Sequence, residues 1–357
     1  MLRSALRHRY ALARSKRRWP VIERLGLSIA IMKRIFLAGA TGLLGNAIAR
    51  ALVADGHQVR ALVRSPDRAR DVVPSECELV RGDVTSAASL AAAIDGCSVV
   101  YHAAGLPEQW LPDERTFDRV NVDGTRNLVQ AALAHRVERF VYTSTIDTFR
   151  FPEPGHVFDE SEIDHKPKAT AYERSKQVAD RLVVDALGRG LPAVFLHPSG
   201  IYGPGPATSP GTNELIADLV KREVPLLLPG GIPVVHCDDA ARGHVVAAER
   251  AAVGARYILS ESYQSLRDIA EQVRAATGCR VPSVMPFAVA RFVASVGETI
   301  SRFTVRPPLL PKGQLTFLQY EARPTSARAE SELGWRARPF RQGLLETIEF
   351  LRAAGRC

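Results

Sequence analysis

Ala38-Gly39-Ala40-Thr41-Gly42-Leu43-Leu44-Gly45 places three glycines, each three residues from the next, between a short apolar run, Arg34 to Ala38, and a stretch of helical periodicity, Gly45 to Asp55. A strand, a tight turn and a helix in that order open a parallel β-α-β unit. Gly39 permits the turn, Gly42 lets a backbone approach a pyrophosphate, and Gly45 lets the helix close on the strand, while the helix N-terminus attracts phosphate. Gly39, Thr41, Gly42, Leu43, Leu44 and Gly45 are therefore candidate dinucleotide-binding residues.

The pattern continues. Strand-length apolar runs at Gln58 to Val63, Cys77 to Arg81, Ser98 to His102, Arg139 to Thr143 and Ala193 to His197 alternate with helical stretches at Ser86 to Ile94, Phe117 to His135 and Tyr172 to Leu187. Such alternation predicts an α/β fold, a Rossmann doubly wound parallel sheet; the remaining chain is read as a smaller C-terminal substrate-binding domain, a reading that the family resemblance given below implies. The expected boundaries are 33–200 plus about 230–262 for the dinucleotide-binding domain and about 201–229 plus 263–357 for the substrate domain. Pro and Gly are dense at Pro198 to Pro210 and Pro225 to Pro233, which read as loops on the ligand side.

Of the 357 residues, 46% are hydrophobic and 24% charged, a composition that excludes a disordered or collagen-like chain. No apolar stretch reaches the roughly 18 residues that would cross a bilayer. The formal net charge is +9, and most of it sits before Met32, where Arg3, Arg7, Arg9, Arg14, Lys16, Arg17, Arg18 and Arg24 face Glu23 alone. A nearly neutral body is a poor match to a nucleic-acid binder, so no nucleic-acid partner is expected. Residues 1–31 read as a basic extension outside the fold, upstream of an alternative start at Met32. Leu2, Leu6, Tyr10 and Ala13 at helical spacing keep a transit peptide or a peripheral membrane-surface anchor as the competing readings. The five cysteines (Cys77, Cys97, Cys237, Cys279 and Cys357) are scattered, with no CxxC, which argues against disulfides and against a metal site and for a reducing, cytoplasmic setting.

Which dinucleotide is bound depends on the end of the second strand, where an acid would take the ribose hydroxyls of NAD and a base would accept the 2′-phosphate of NADP. The strand ends Ala61-Leu62-Val63-Arg64-Ser65. Arg64, with Arg60 and Arg68 near it in sequence, favours NADP over NAD.

Tyr172-Glu173-Arg174-Ser175-Lys176 lies on a predicted helix, and a spacing of four puts Tyr172 and Lys176 on one face. An ammonium beside a phenol stabilises the phenolate and makes the tyrosine a proton donor or acceptor near neutral pH. Thr143-Ser144-Thr145 ends the preceding strand, at the edge where doubly wound sheets bind ligands. His102 and His236 read as structural histidines, Asp239 as a helix N-cap and Cys237 as a small buried thiol.

With these residues in place, the chain from Met32 to about Leu351 resembles the extended short-chain dehydrogenase/reductase family, which includes nucleotide-sugar epimerases, dihydroflavonol reductases and 3β-hydroxysteroid dehydrogenases. Further matches are Gly82-Asp83-Val84, Tyr101-His102-Ala103-Ala104, Asn121 in Asn121-Val122-Asp123-Gly124-Thr125, His197-Pro198, Ile201-Tyr202-Gly203-Pro204, Val235 to Ala240, and Glu332-Leu333-Gly334-Trp335. The resemblance implies that Tyr172 is the general acid/base, that Lys176 is its activator and a ribose ligand, and that Thr145 binds the substrate oxygen beside Ser144. It adds Asp83 and Val84 at the adenine, and Ala103, Ala104, Asn121, Thr143 and Pro198 on the nicotinamide side, with Gly200 and Tyr202 near the substrate. It also implies a homodimer packed through the Phe117 and Tyr172 helices.

The expected activity is NAD(P)(H)-dependent interconversion of a secondary alcohol and a ketone, with NADP(H) favoured. The motif spacing is most similar to the dihydroflavonol-reductase-like and 3β-hydroxysteroid-dehydrogenase-like branch and to a hopanoid-associated sugar epimerase. Two alternatives stay open: a nucleotide-sugar epimerase or dehydratase with tightly held NAD, and a non-catalytic dinucleotide sensor or RNA binder. Apolar residues such as Phe287, Phe292, Leu309, Leu310 and Phe317 point to a small-molecule substrate that is bulky and apolar, in the manner of a sterol, polyketide or lipid. No cluster of Arg and Asn suited to a diphosphate stands out beyond Arg306 and Arg336.

Overall fold

The computed structural model describes residues 32–108, 110–206, 211–304 and 310–357. The basic extension 1–31, and with it Arg306 and Leu309, lies outside the described residues.

The first half builds β1 (Arg34–Ala38), α1 (Leu43–Ala54), β2 (Gln58–Val63), β3 (Glu78–Arg81), α2 (Ala87–Ile94), β4 (Val99–His102), α3 (Gly124–Ala134), β5 (Arg139–Thr143), α4 (Ala171–Leu187) and β6 (Ala193–Pro198). The chain continues with β7 (Gly200–Tyr202), α5 (Thr212–Lys221), β8 (Gly231–His236), α6 (Cys237–Arg250), β9 (Arg256–Leu259), β10 (Ser262–Ser265) and α7 (Leu266–Thr277). It ends with α8 (Phe287–Thr304), α9 (Lys312–Gln319), α10 (Ala327–Leu333) and α11 (Phe340–Ala353).

Seven strands form one parallel sheet in the order β9-β6-β5-β4-β1-β2-β3. β4 and β6 are buried along their whole length, because helices cover both faces and an apolar run can be continuous rather than alternating. On one face α1, α6 and α10 meet the sheet through Leu44, Ile48, Leu52, Val245 and Leu333. On the other, α2, α3 and α4 bring Leu90, Leu128 and Val183 against Phe36, Phe140 and Phe195. Helix α1 packs closely against α6, which the chain reaches only after the excursion that carries α5.

A second sheet, β10-β8-β7, is smaller, with β8 antiparallel to β10 and parallel to β7. It shares a separate core with α5, α7 and α11, in which Ile216, Ile269, Val273, Leu344 and Ile348 are buried. The last strand of the large sheet, β9, was not anticipated: Arg256-Tyr257-Ile258-Leu259 is four residues long and follows a loop without a helix-to-strand signal.

Candidate functional site

Parallel strands present their carboxyl ends on one edge, and β1 and β4 are neighbours where the strand order reverses, which opens a crevice beyond their ends. Gly39 turns the chain there with φ of +98°, and a Cβ on it would stand 2.5 Å from the Ala103 carbonyl oxygen. A Cβ on Gly45 would overlap the Gly39 carbonyl. Gly42 precedes α1 in extended conformation, no side chain caps the helix, and its first turn carries no acid. The positive end of a twelve-residue helix is thereby left open toward the crevice. Leu43 and Leu44 are buried in the core and offer this cradle their backbone N–H groups only, whereas Thr41 is exposed at its mouth.

The residues expected at the adenine, Asp83 and Val84, follow β3 at the same edge. Asp83 Oδ1 accepts from Thr85 N and Thr85 Oγ1, both at 2.9 Å, and Val84 is buried against α3 at Gly124. Arg64 is exposed at the end of β2, and neither it nor Arg68 has a hydrogen-bond or ion-pair partner among the described residues. Arg60 does not join them. Its Nε donates to Glu78 at 3.1 Å and its Nη1 to the carbonyls of Ala93 and Asp95 at 3.0 and 2.8 Å.

A capping box starts α4. Thr170 Oγ1 accepts from Glu173 N at 3.1 Å, and Glu173 Oε2 accepts from Thr170 N at 2.9 Å. The helix therefore begins at Ala171, with Tyr172 in its first turn and Lys176 one turn later on the same face. Tyr172 is half-buried and stands edge-on to Phe117, with centroids 6.3 Å apart. Lys176 is buried, donates to the Thr143 carbonyl at 2.9 Å and lies over the Tyr142 ring. Burial pulls its ammonium down to about 8, against the carboxylates of Asp180 and Asp147.

One expectation is corrected here. The Tyr172 phenol is pushed up rather than down, by burial first and by the Asp147 carboxylate second, with the Thr145 hydroxyl acting in the opposite direction. Lys176, directed at Thr143, does not offset these effects.

Thr145 ends the run after β5 and donates to Asp147 Oδ2 at 2.8 Å. Ser144 is turned away from the crevice, because its Oγ donates to the buried Asp180 at 2.8 Å. Arg256 holds the other side of that carboxylate and lies 3.1 Å from His197 Nε2, while His197 Nδ1 meets the Thr145 carbonyl at 3.0 Å. Burial opposes ionisation of Asp180, but the Arg256 hydrogen bonds outweigh it and hold the carboxyl below the ordinary range. Burial likewise brings His197 down to about 3 and keeps it neutral.

Asn121 sits in a widened, π-helical turn, Asp118–Asp123, where Oδ1 accepts from Leu106 N and Nδ2 donates to Ser175 Oγ, both at 2.9 Å. It ties the loop that follows Ala103 and Ala104 to α4. Thr143 Oγ1 lies 3.0 Å from His244 Nε2, and Pro198 closes β6 in the core.

Tyr202 is the residue expected near the substrate beside Gly200. It is fully buried in the second core, with its hydroxyl donating to the Phe340 carbonyl at 3.3 Å. Gly200 makes room for the backbone of β8, since a Cβ there would meet the Pro233 oxygen at 2.9 Å.

The other histidines behave as structural groups. His102 Nε2 pairs with Thr125 Oγ1 at 2.8 Å, and burial takes its pKa down to about 3. His236, not Asp239, caps α6, by accepting from Asp238 N at 3.3 Å. Asp239 instead binds the Arg338 guanidinium through both oxygens, at 2.9 Å each. Cys237 is fully buried, and burial pushes its thiol up. His236, Cys237 and Asp238 offer donor atoms within 4.8 Å of one another, but Asp238 is already paired with Arg50 at 2.6 Å. Among the described residues no helix is long and apolar enough to cross a membrane.

Sequence reasoning missed three groups of this site: Asp147, Asp180 and Arg256. Asp180 follows Lys176 by one helical turn, a spacing that was available to see; Arg256 depends on the unanticipated β9.

Residues 35–259 match the NAD dependent epimerase/dehydratase family. A 4-hydroxy-2-methyl-3-oxo-4-farnesyl-3,4-dihydroquinoline-1-oxide ketoreductase of Stigmatella aurantiaca is 30% identical over 90% of this chain and 96% of its own. Sterol demethylase protein B of Methylococcus capsulatus is 26% identical over 89% and 98%. The crystal structure of gox2253 superposes with a TM-score of 0.80 at 31% identity, over 91% of this chain and 99% of that one. The sheet order, the glycine turn and these relationships agree: the chain belongs to the NAD-dependent epimerase/dehydratase family, the extended short-chain dehydrogenases/reductases, and is an enzyme of that type.

Proposed function

We propose that the protein interconverts a secondary alcohol and a ketone, with NADP(H) preferred. The observation that carries this reading is the convergence of Tyr172, Lys176 and Thr145 at the carboxyl end of β5, one strand from β4 and the glycine cradle. A bound dinucleotide would supply or accept the hydride. Tyr172 then exchanges a proton with the substrate oxygen, a contribution of roughly 10²–10⁴ in rate. Lys176 holds a positive charge behind it, and Thr145 fixes the oxygen by hydrogen bonding. Arg64, unpaired at the end of β2, supports recognition of a 2′-phosphate.

The segments at about 201–229 and 263–357 are assigned the substrate side. The substrate class we favour is bulky and apolar. The Stigmatella relative is named for a farnesyl-bearing ketone and the Methylococcus relative for a sterol. Helix α8 exposes Val289, Phe292 and Val296 along one side.

Fluorescence titration with NADPH and NADH, joined to mass spectrometry of any nucleotide that co-purifies, tests the reading. Tight preference for NADPH with nothing co-purified is expected. Co-purified NAD would overturn the role of Arg64 and put a nucleotide-sugar epimerase first. Dinucleotide binding without turnover of any ketone would favour a sensor.

A further inference from the structure

Asp147, on the short 3-10 turn Ile146–Thr148, is a buried carboxyl that no step above uses. Oδ2 receives the Thr145 hydroxyl at 2.8 Å, and the Asp147 N–H donates back to Thr145 Oγ1 at 3.3 Å. Oδ1 is enclosed with no hydrogen-bond partner among the described residues. Leaving a carboxylate oxygen bare indoors costs on the order of 1–3 kcal/mol or more, and a proton on the carboxyl relieves that cost.

The charged and titratable groups around it pull in both directions. Glu173 on α4 adds a like charge, Lys168 before α4 and Lys176 on α4 oppose it, and the phenols of Tyr172 and of Tyr320, at the end of α9, both respond to it. Burial, with Glu173 behind it, wins over the Thr145 hydrogen bond and the two lysines, and the carboxyl is pushed up to about 7.

A hydroxyl has a single hydrogen to give. With Asp147 ionised, Thr145 spends its hydrogen on Oδ2 and has none to give a ketone oxygen. With Asp147 protonated the hydrogen bond reverses: Asp147 donates to Thr145 Oγ1, and the Thr145 hydrogen is released toward a ketone oxygen. We infer that Asp147 is a positioning residue whose proton decides whether Thr145 has a hydrogen-bond donor to offer a ketone oxygen. The inference rests on the proposed alcohol–ketone chemistry, in which Thr145 meets the substrate oxygen. The proton on Asp147 is not consumed, so the hydride and the Tyr172 proton still account for the reaction.

Asp147→Asn fixes one arrangement, because its amide N–H donates to Thr145 Oγ1 at every pH. The experiment measures initial rates of NADPH- and NADH-driven reduction of a panel of aryl, terpenoid and steroid ketones, and of oxidation of the matching alcohols, against pH. In the wild type, reduction should fall about tenfold per pH unit above about 7. Asp147→Asn should keep the low-pH reduction rate across that range. NMR of the dinucleotide-free protein carrying carboxyl-labelled aspartate gives an independent reading: a carboxyl titrating near 7 that disappears in Asp147→Asn and moves higher in Thr145→Val. A carboxyl in the ordinary range near ~4, or an Asp147→Asn enzyme that keeps the fall in reduction, overturns the inference and leaves the oxidoreductase reading intact. A protein with the expected titration that reduces no ketone overturns both.

Discussion

Arg256 grips the Asp180 carboxylate with two nitrogens, at 2.6 and 3.1 Å, on the far side of the Ser144 hydroxyl. The pair is nearly enclosed, with side-chain exposures of 14% and 4%. Removing one partner leaves the other charge buried and alone, which typically costs about 3–5 kcal/mol. Arg256→Gln should destabilise the fold by about that much at neutral pH. Asp180 is held below its ordinary range when folded, so its contribution is complete above the unfolded aspartate value near ~4 and is lost as acid protonates it. Urea unfolding of both proteins from neutral to strongly acid pH should show the gap closing only at the acid end. A gap that does not vary with pH would mean the loss comes from packing.

Lys176 is expected to be a stability liability. Its folded pKa of about 8 lies below the ordinary lysine value of 10.5. The buried charge therefore works against folding below 8, and the penalty is relieved as pH rises between those values. Lys176→Met should raise stability at neutral pH, by on the order of 2 kcal/mol, while abolishing turnover. Thermal unfolding and ketone reduction, measured on the same preparations, check both halves. A destabilised Lys176→Met protein would show that the hydrogen bond to Thr143 outweighs the burial of charge.

At Gly39 the backbone conformation and the lack of space act together. Gly39→Ala would require φ of +98° and a methyl group 2.5 Å from the Ala103 oxygen. The turn must open, at about 1–3 kcal/mol, and the pyrophosphate cradle opens with it. Fluorescence titration should show dinucleotide affinity reduced at least about tenfold. Unchanged affinity would mean the phosphates lie elsewhere.

Arg64→Ala should weaken NADPH and leave NADH nearly untouched. A charge-assisted hydrogen bond of about 1.5–3 kcal/mol corresponds to roughly ten- to hundredfold in affinity. Equal losses for both dinucleotides would assign Arg64 to general electrostatics.

The parallel sheet was readable because its strands are apolar on both faces and its helices carry a 3.6-residue period; β1, β2 and β5 run over the residues expected, from Arg34, Gln58 and Arg139. The glycine turn was readable for the same reason, since its chemistry is local. What escaped was the direction in which polar side chains point. Ser144 and Thr145 are neighbours in sequence, yet one faces Asp180 and the other Asp147, and only the distant α4 and β9 decide this. Tyr202 follows the site in sequence but is claimed by Phe340, more than a hundred residues later.

The packing of α1 on α6 bears on how the chain matures. The helix that follows the glycine turn, residues 43–54, has its supporting partner in residues 237–250. On the ribosome, the apolar side of α1 waits uncovered while almost two hundred further residues are synthesised, so the dinucleotide cradle assembles late although its motif emerges early. A nascent fragment ending near Pro198 holds the whole glycine turn and all of Tyr172 to Lys176, yet lacks the layer that keeps the turn in place.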